Sequence, residues 1–163
     1  GAHASTQMCM RELERCIQGG ERVLDLGSGS GILSITALLL GAATAVGVDI
    51  DPKAEDIVRE NAGINQLFSD RFTAMTGDVI GDASMPERLG TGYDVVLANI
   101  VADVIIPLAP HIPQFLKPEG VFICSGILDR RLNEVLAAIE KAGLLVHSID
   151  SQEDWRRVTA VPR

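Results

Sequence analysis

Two hydrophobic rhythms alternate along the chain. Short, nearly unbroken apolar runs occur at "RVLDL" (22–26), "AVGVDI" (45–50), "YDVVLANI" (93–100) and "GVFICSGI" (120–127). Runs of this length and continuity predict strands buried on both faces of a parallel sheet. "RFTAMTGD" (71–78) predicts a further strand between the second and the third of these. The segments between them follow helical spacing. Residues 4 to 18 set Met8, Leu13 and Ile17 among polar neighbours, with Ser5 or Thr6 available as a cap and Gly19-Gly20 as a stop. "ILSITALLL" (32–40) predicts a helix ended by Gly41. Asp51-Pro52 opens another, aspartate at the cap and proline in the first turn, running to about Asn65. A short helix is expected within 79–91, and a longer one from about Ala102 to Leu116 that Pro107, Pro110 and Pro113 break into pieces. "RLNEVLAAIEKAG" (131–143) places Leu132, Val135, Leu136 and Ile139 on one stripe.

"LLVHSID" and "WRRVTAV" close the pattern as two strands with no helix between them. The order strand-helix, repeated and then ended by two strands, predicts a Rossmann-like, doubly wound α/β sheet of seven strands. The sheet should be mostly parallel, with one antiparallel C-terminal strand. No repeat, low-complexity tract or linker interrupts residues 1–163, so a single domain is expected.

Composition narrows the function classes. Hydrophobic residues make up 47% of 163 but aromatic ones only 4%, which leaves the core to Leu, Ile, Val and Ala. The net charge of −8 argues against direct nucleic-acid binding. Cys9, Cys16 and Cys124 form no CxxC pair and read as reduced thiols of a cytoplasmic protein, and no metal site is expected. The apolar region from Ile32 to Val48 is cut by Gly41 and Gly47, so it reads as helix, turn and strand rather than a membrane span. No signal peptide is visible at the start.

The densest chemistry sits in "VLDLGSGSGILSI" (23–35). Gly27 and Gly29 suit a tight turn that brings backbone N–H groups to a ligand, and Gly31 suits close packing of the following helix. The dinucleotide fingerprint G-x-G-x-x-G/A requires a small residue where this chain has Ile32. Asp25, two residues before the first glycine, would repel a pyrophosphate but attract a cationic amino group. S-adenosylmethionine carries such a group. Asp49, at the end of the second strand, can accept both hydroxyls of a ribose, and Asp78, expected to end the third strand, can reach an adenine amino group. Asn99 ends the fourth strand beside the same crevice. Its side-chain carbonyl and a neighbouring backbone carbonyl can hold the two N–H bonds of an amine and aim its lone pair. No general base stands out, since His3, His111 and His147 are scattered.

"HASTQMCMREL", "VLDLGSGSGILSI", "VGVDIDPKAEDIVRENAGIN", "YDVVLANI", "SGIL" and "EDW" occur in an order that resembles the methyltransferases of large-subunit ribosomal protein eleven, the PrmA family. The resemblance covers nearly the whole chain. It implies a class I methyltransferase fold, S-adenosylmethionine as cofactor, and methyl transfer to amino groups of a ribosomal protein. It also implies cofactor contacts from Thr6, Gly27, Asp49 and Asn99. Ser28, Gly29, Gly31 and Ile50 are further candidates for the same site. Ser28 stands where many members have cysteine, and Trp155 matches a C-terminal tryptophan best read as packing. Family members carry an N-terminal domain that recognises the ribosomal protein, and this chain is expected to be the catalytic domain without it. A methyltransferase for another amine or small molecule, and a non-catalytic cofactor-binding fragment, remain open at this point. An NAD-dependent oxidoreductase is disfavoured by Ile32 and Asp25.

Overall fold

The computed structural model describes residues 2–66 and 70–163. Seven strands form one sheet: β1 (Arg22–Leu26), β2 (Thr44–Asp49), β3 (Phe72–Thr76), β4 (Tyr93–Asn99), β5 (Leu116–Leu128), β6 (Leu144–Gln152) and β7 (Trp155–Pro162). Their order is β3-β2-β1-β4-β5-β7-β6. β7 runs antiparallel to both of its neighbours, β5 and β6, while the pairs from β3 to β5 are all parallel.

Side chains on a strand alternate between faces, and here the alternation divides the core in two. Val23, Val95, Leu97 and Ile123 pack with α1 (Ala2–Cys16), α2 (Ile32–Leu39) and α3 (Pro52–Ile64). Leu24, Leu26, Val96, Ala98, Phe122 and Cys124 pack with α4 (Met85–Leu89), α5 (Ala102–Leu108) and α6 (Leu132–Lys141) on the opposite face. With both faces covered, the central strands have no polar side, which is why their sequences read as continuous apolar runs.

Local signals place most boundaries. The Asp51 side chain accepts the Lys53 N–H and caps α3, with Pro52 in its first turn. Gly41 follows α2 with a φ of 118°. The helix beginning at Ala102 breaks, as the prolines require, into α5 and two 3-10 turns at 109–111 and 113–115. Two expectations are corrected. α1 begins at Ala2, so Ser5 and Thr6 lie inside it rather than at its cap. There the Thr6 hydroxyl accepts Asn99 Nδ2 (3.2 Å), and the Ser5 main-chain carbonyl accepts the Ser125 hydroxyl (3.1 Å). β3 ends at Thr76, so Asp78 lies two residues past the strand. There the chain turns away, with the Asp78 carboxylate accepting the Ile80 N–H (3.1 Å) in a local turn.

Candidate functional site

β1 leads into a turn that is stitched to β2. The N–H groups of Gly27 and Ser28 both donate to the Val48 carbonyl, at 2.8 and 3.1 Å. A Cβ on Gly27 would lie 2.6 Å from Ile100 Cγ2, so this position has no room for a side chain. Gly31, at the start of α2, would meet Val58 of α3 at 3.1 Å and Phe72 of β3 at 3.4 Å. Its small size therefore serves the packing of α2 against those two elements. Ser28 is buried and rests on Gly47 of β2, where a Cβ would lie 3.1 Å from its own.

Asp49 ties the turn together from below. Its Oδ2 accepts the Gly29 N–H (2.9 Å) and its Oδ1 the Asp51 N–H (3.0 Å). Each oxygen keeps a further lone pair for a ligand donor. Asp25 does something different. It points into the core with 2% of its surface exposed and accepts the Ser34 hydroxyl at 2.8 Å. Burial pushes its carboxyl up to about 6, and hydrogen bonds from Ser34 pull the other way. Ser34 is the third residue of α2, so Asp25 acts as the acceptor that Gly31, lacking a side chain, cannot supply at that helix start.

Outside the carboxyl ends of β1, β2 and β3 lies a cleft of about 430 Å³. Leu26, Val48, Ile100, Val104 and Leu108 make its apolar wall, and Gly27, Asp49, Ile50 and Asp78 its rim. Ile50 is 70% exposed. Two lining residues are carboxylates and none is Lys, Arg or His among the described residues. Asn99 stands at the end of β4, two strand spacings or roughly 10 Å from the end of β2. Asn99 lies on the α1 side, held through Nδ2 by Thr6, while the cleft opens toward α5.

The structure therefore gathers Gly27, Asp49, Ile50 and Asp78 around the cleft, attaches Gly29 through Asp49, and pairs Thr6 with Asn99 next to it. Ser28 and Asp25 lie behind this surface, in the packed interior. Sequence reasoning missed Val79, Ile80, Ile100, Val104 and Leu108 as lining residues. Ile100 had a signal, since it follows Asn99 in the strand-end stretch "LANI". Val104 and Leu108 had none, because they reach the cleft only through the packing of α5.

A mixed sheet of order 3-2-1-4-5-7-6, with a glycine turn after β1 and an acid at the end of β2, is the class I methyltransferase architecture. Solved structures agree. A ribosomal protein L11 methylase from Lactobacillus delbrueckii subsp. bulgaricus superposes with a TM-score of 0.85 at 26% identity, covering 98% of this chain and 79% of that one. Magnesium protoporphyrin IX methyltransferase from Synechocystis PCC 6803, solved with bound SAM, shares the fold with a TM-score of 0.76 at 19% identity, covering 98% and 80%. The family model described as ribosomal protein L11 methyltransferase (PrmA) matches residues 1–163. The chain belongs to this family. It is 48% identical over 164 residues to a ribosomal protein L11 methyltransferase of Agathobacter rectalis, and 41% identical over 174 to one of Lachnoclostridium phytofermentans. These alignments cover 98% of the chain and 51% and 52% of the relatives, so it spans about half their length.

Proposed function

We propose that the chain is the catalytic domain of an S-adenosylmethionine-dependent N-methyltransferase that acts on amino groups of ribosomal protein L11 in the cytoplasm. One observation carries the reading: an apolar cleft with carboxylates and no cations abuts the glycine turn, and an asparagine amide ends the next strand. The donor and acceptor set fits the cofactor. Asp49 offers carboxylate oxygens for two ribose hydroxyls, Val79, Ile80 and Leu108 offer apolar surface for a base, and Asp78 offers an acceptor beside them. A pyrophosphate would meet two carboxylates and no counter-charge.

When bound, S-adenosylmethionine supplies an electrophilic methyl group. The residues of this chain position the acceptor. Thr6 holds the Asn99 amide through Nδ2, which leaves Oδ1 to receive an amine N–H. The Ile100 main-chain carbonyl, next in sequence, serves as a second acceptor, so the nitrogen lone pair is the free direction. The same two oxygens favour the positive charge that develops on nitrogen. Among the described residues no histidine lines the cleft; for an amine that arrives neutral, positioning suffices, and its proton passes to water after transfer. Among the described residues, no helix is long and apolar enough to cross a membrane.

Calorimetry with S-adenosylhomocysteine and with NAD, together with transfer of labelled methyl to ribosomal protein L11, tests this function. Micromolar binding of the former and label on the ribosomal protein are expected. Tight NAD binding without an S-adenosylhomocysteine signal would overturn the reading.

A further inference from the structure

Gly126 lies in β5 where that strand is irregular. Its pairing with β7 slips between Cys124 and Ile127, and Gly126 adopts a φ of 85°. Asn99 pairs with Ser125, so Gly126 stands one residue beyond the end of β4. A Cβ built on Gly126 would lie 2.8 Å from the Ile100 carbonyl oxygen and 3.3 Å from Asn99 Oδ1. Two acceptors, one main-chain and one side-chain, therefore approach Gly126 so closely that a side chain there would collide with the first and crowd the second. Just before it, the buried Ser125 donates its hydroxyl to the Ser5 carbonyl, which fixes this strand end against α1.

A left-handed backbone alone does not account for this. Gly143 has a φ of 89°, and a Cβ there would meet nothing within 4 Å. What distinguishes Gly126 is what it faces. Deviating strands beside active sites commonly redirect a few groups toward a substrate.

We infer that Gly126 determines amine specificity: by withholding a side chain it keeps Asn99 Oδ1 and the Ile100 carbonyl open together to the N–H groups of an unhindered amine. A methyl group at this position blocks the flank of Oδ1 or pushes the Ile100 carbonyl aside, and either outcome dismantles the pair. The inference rests on the proposed methyltransferase reading and adds the element that admits the nitrogen.

The test compares two ligands by calorimetry: S-adenosylhomocysteine, and sinefungin, in which a carbon bearing an amino group replaces the sulfur. The wild-type chain is expected to favour the amine ligand by about tenfold or more, as hydrogen bonds from a charged donor would give. In Gly126→Ala that preference falls to near unity while S-adenosylhomocysteine affinity stays within about twofold. Gly143→Ala, with the same backbone strain and no acceptors nearby, keeps the wild-type ratio. The inference is overturned by an unchanged ratio in Gly126→Ala, by an equal loss in Gly143→Ala, or by a wild-type chain with no preference. Failure of the wild-type chain to bind S-adenosylhomocysteine at all would instead remove the cofactor reading beneath it.

Discussion

Asn99 presents its two amide ends to different neighbours, Nδ2 to Thr6 and Oδ1 toward Gly126. Removing the amide should therefore separate chemistry from cofactor binding. Asn99→Ala is expected to lower kcat for labelled methyl transfer by about 10²–10³, the usual loss for one positioned polar group. Affinity for S-adenosylhomocysteine should change less than threefold, and a variant retaining full kcat would contradict the assigned role. Asp25 makes a prediction about stability. Its folded carboxyl holds a proton up to about pH 6, above the ordinary value of 3.8. The contribution to stability is complete below about pH 4 and disappears as pH rises through 6. Keeping the buried acid ionised at pH 7 costs about 3 kcal/mol. In urea titrations, wild-type stability minus that of Asp25→Asn should become more negative by about this amount from pH 4 to pH 7. A flat difference would mean the carboxylate is solvated. Asp25 also shows where sequence reading stops. In "VLDLG" every neighbour is apolar, and whether the carboxylate faces the ligand or the core depends on strand parity against α1 and α2. The place of Asp49 at the cleft was legible because it ends its strand, and clefts in such sheets lie beyond the carboxyl ends of the strands.

Among the elements, α1 is held to the sheet by polar contacts as well as by Met8, Cys9 and Leu13. Glu12, 3% exposed, accepts the Thr159 hydroxyl and pairs with Arg157 at 3.3 Å. Arg157 also donates to Ser148 at 2.9 Å. Because α1 carries Thr6, this buried pair anchors the helix that holds Asn99 in place. Glu12→Ala strands a guanidinium in the interior, and a loss of about 3–5 kcal/mol is expected by urea denaturation. The double variant Glu12→Leu, Arg157→Met should recover much of that loss, since an apolar pair leaves no charge unpaired. If the single variant lost less than about 1 kcal/mol, water would have to reach the pair. None of this was legible in the sequence: 145 positions separate Glu12 from Arg157, and a charge within a helical stripe reads as solvent-facing. α2 and α3 were legible, because glycine, aspartate and proline mark their ends locally.

For the molecule as a whole, the interior is closed enough to silence its thiols. Burial pushes Cys9 up to about 12 and Cys16 up to about 11, and raises Cys124 further still. Iodoacetamide at pH 8 should leave Cys9 and Cys124 unmodified in the native protein, with half-buried Cys16 labelled first and all three labelled in urea. Mass spectrometry of timed samples checks the order, and early labelling of Cys124 would indicate a breathing β5. The class of fold was legible because each strand-helix unit carries its own periodicity and punctuation. The order of strands within the sheet was not, since nothing local says that the last strand inserts between two earlier ones. That insertion bears on how the chain assembles. β6 touches the sheet through β7 alone, and β7 is made after it. On a translating ribosome, the strands from β3 to β5 can zip together while β6 waits, already synthesised, for a later neighbour to bridge the gap. Until then the outer edge of β5 is bare, an unpaired row of N–H and C=O groups open to pairing with another chain.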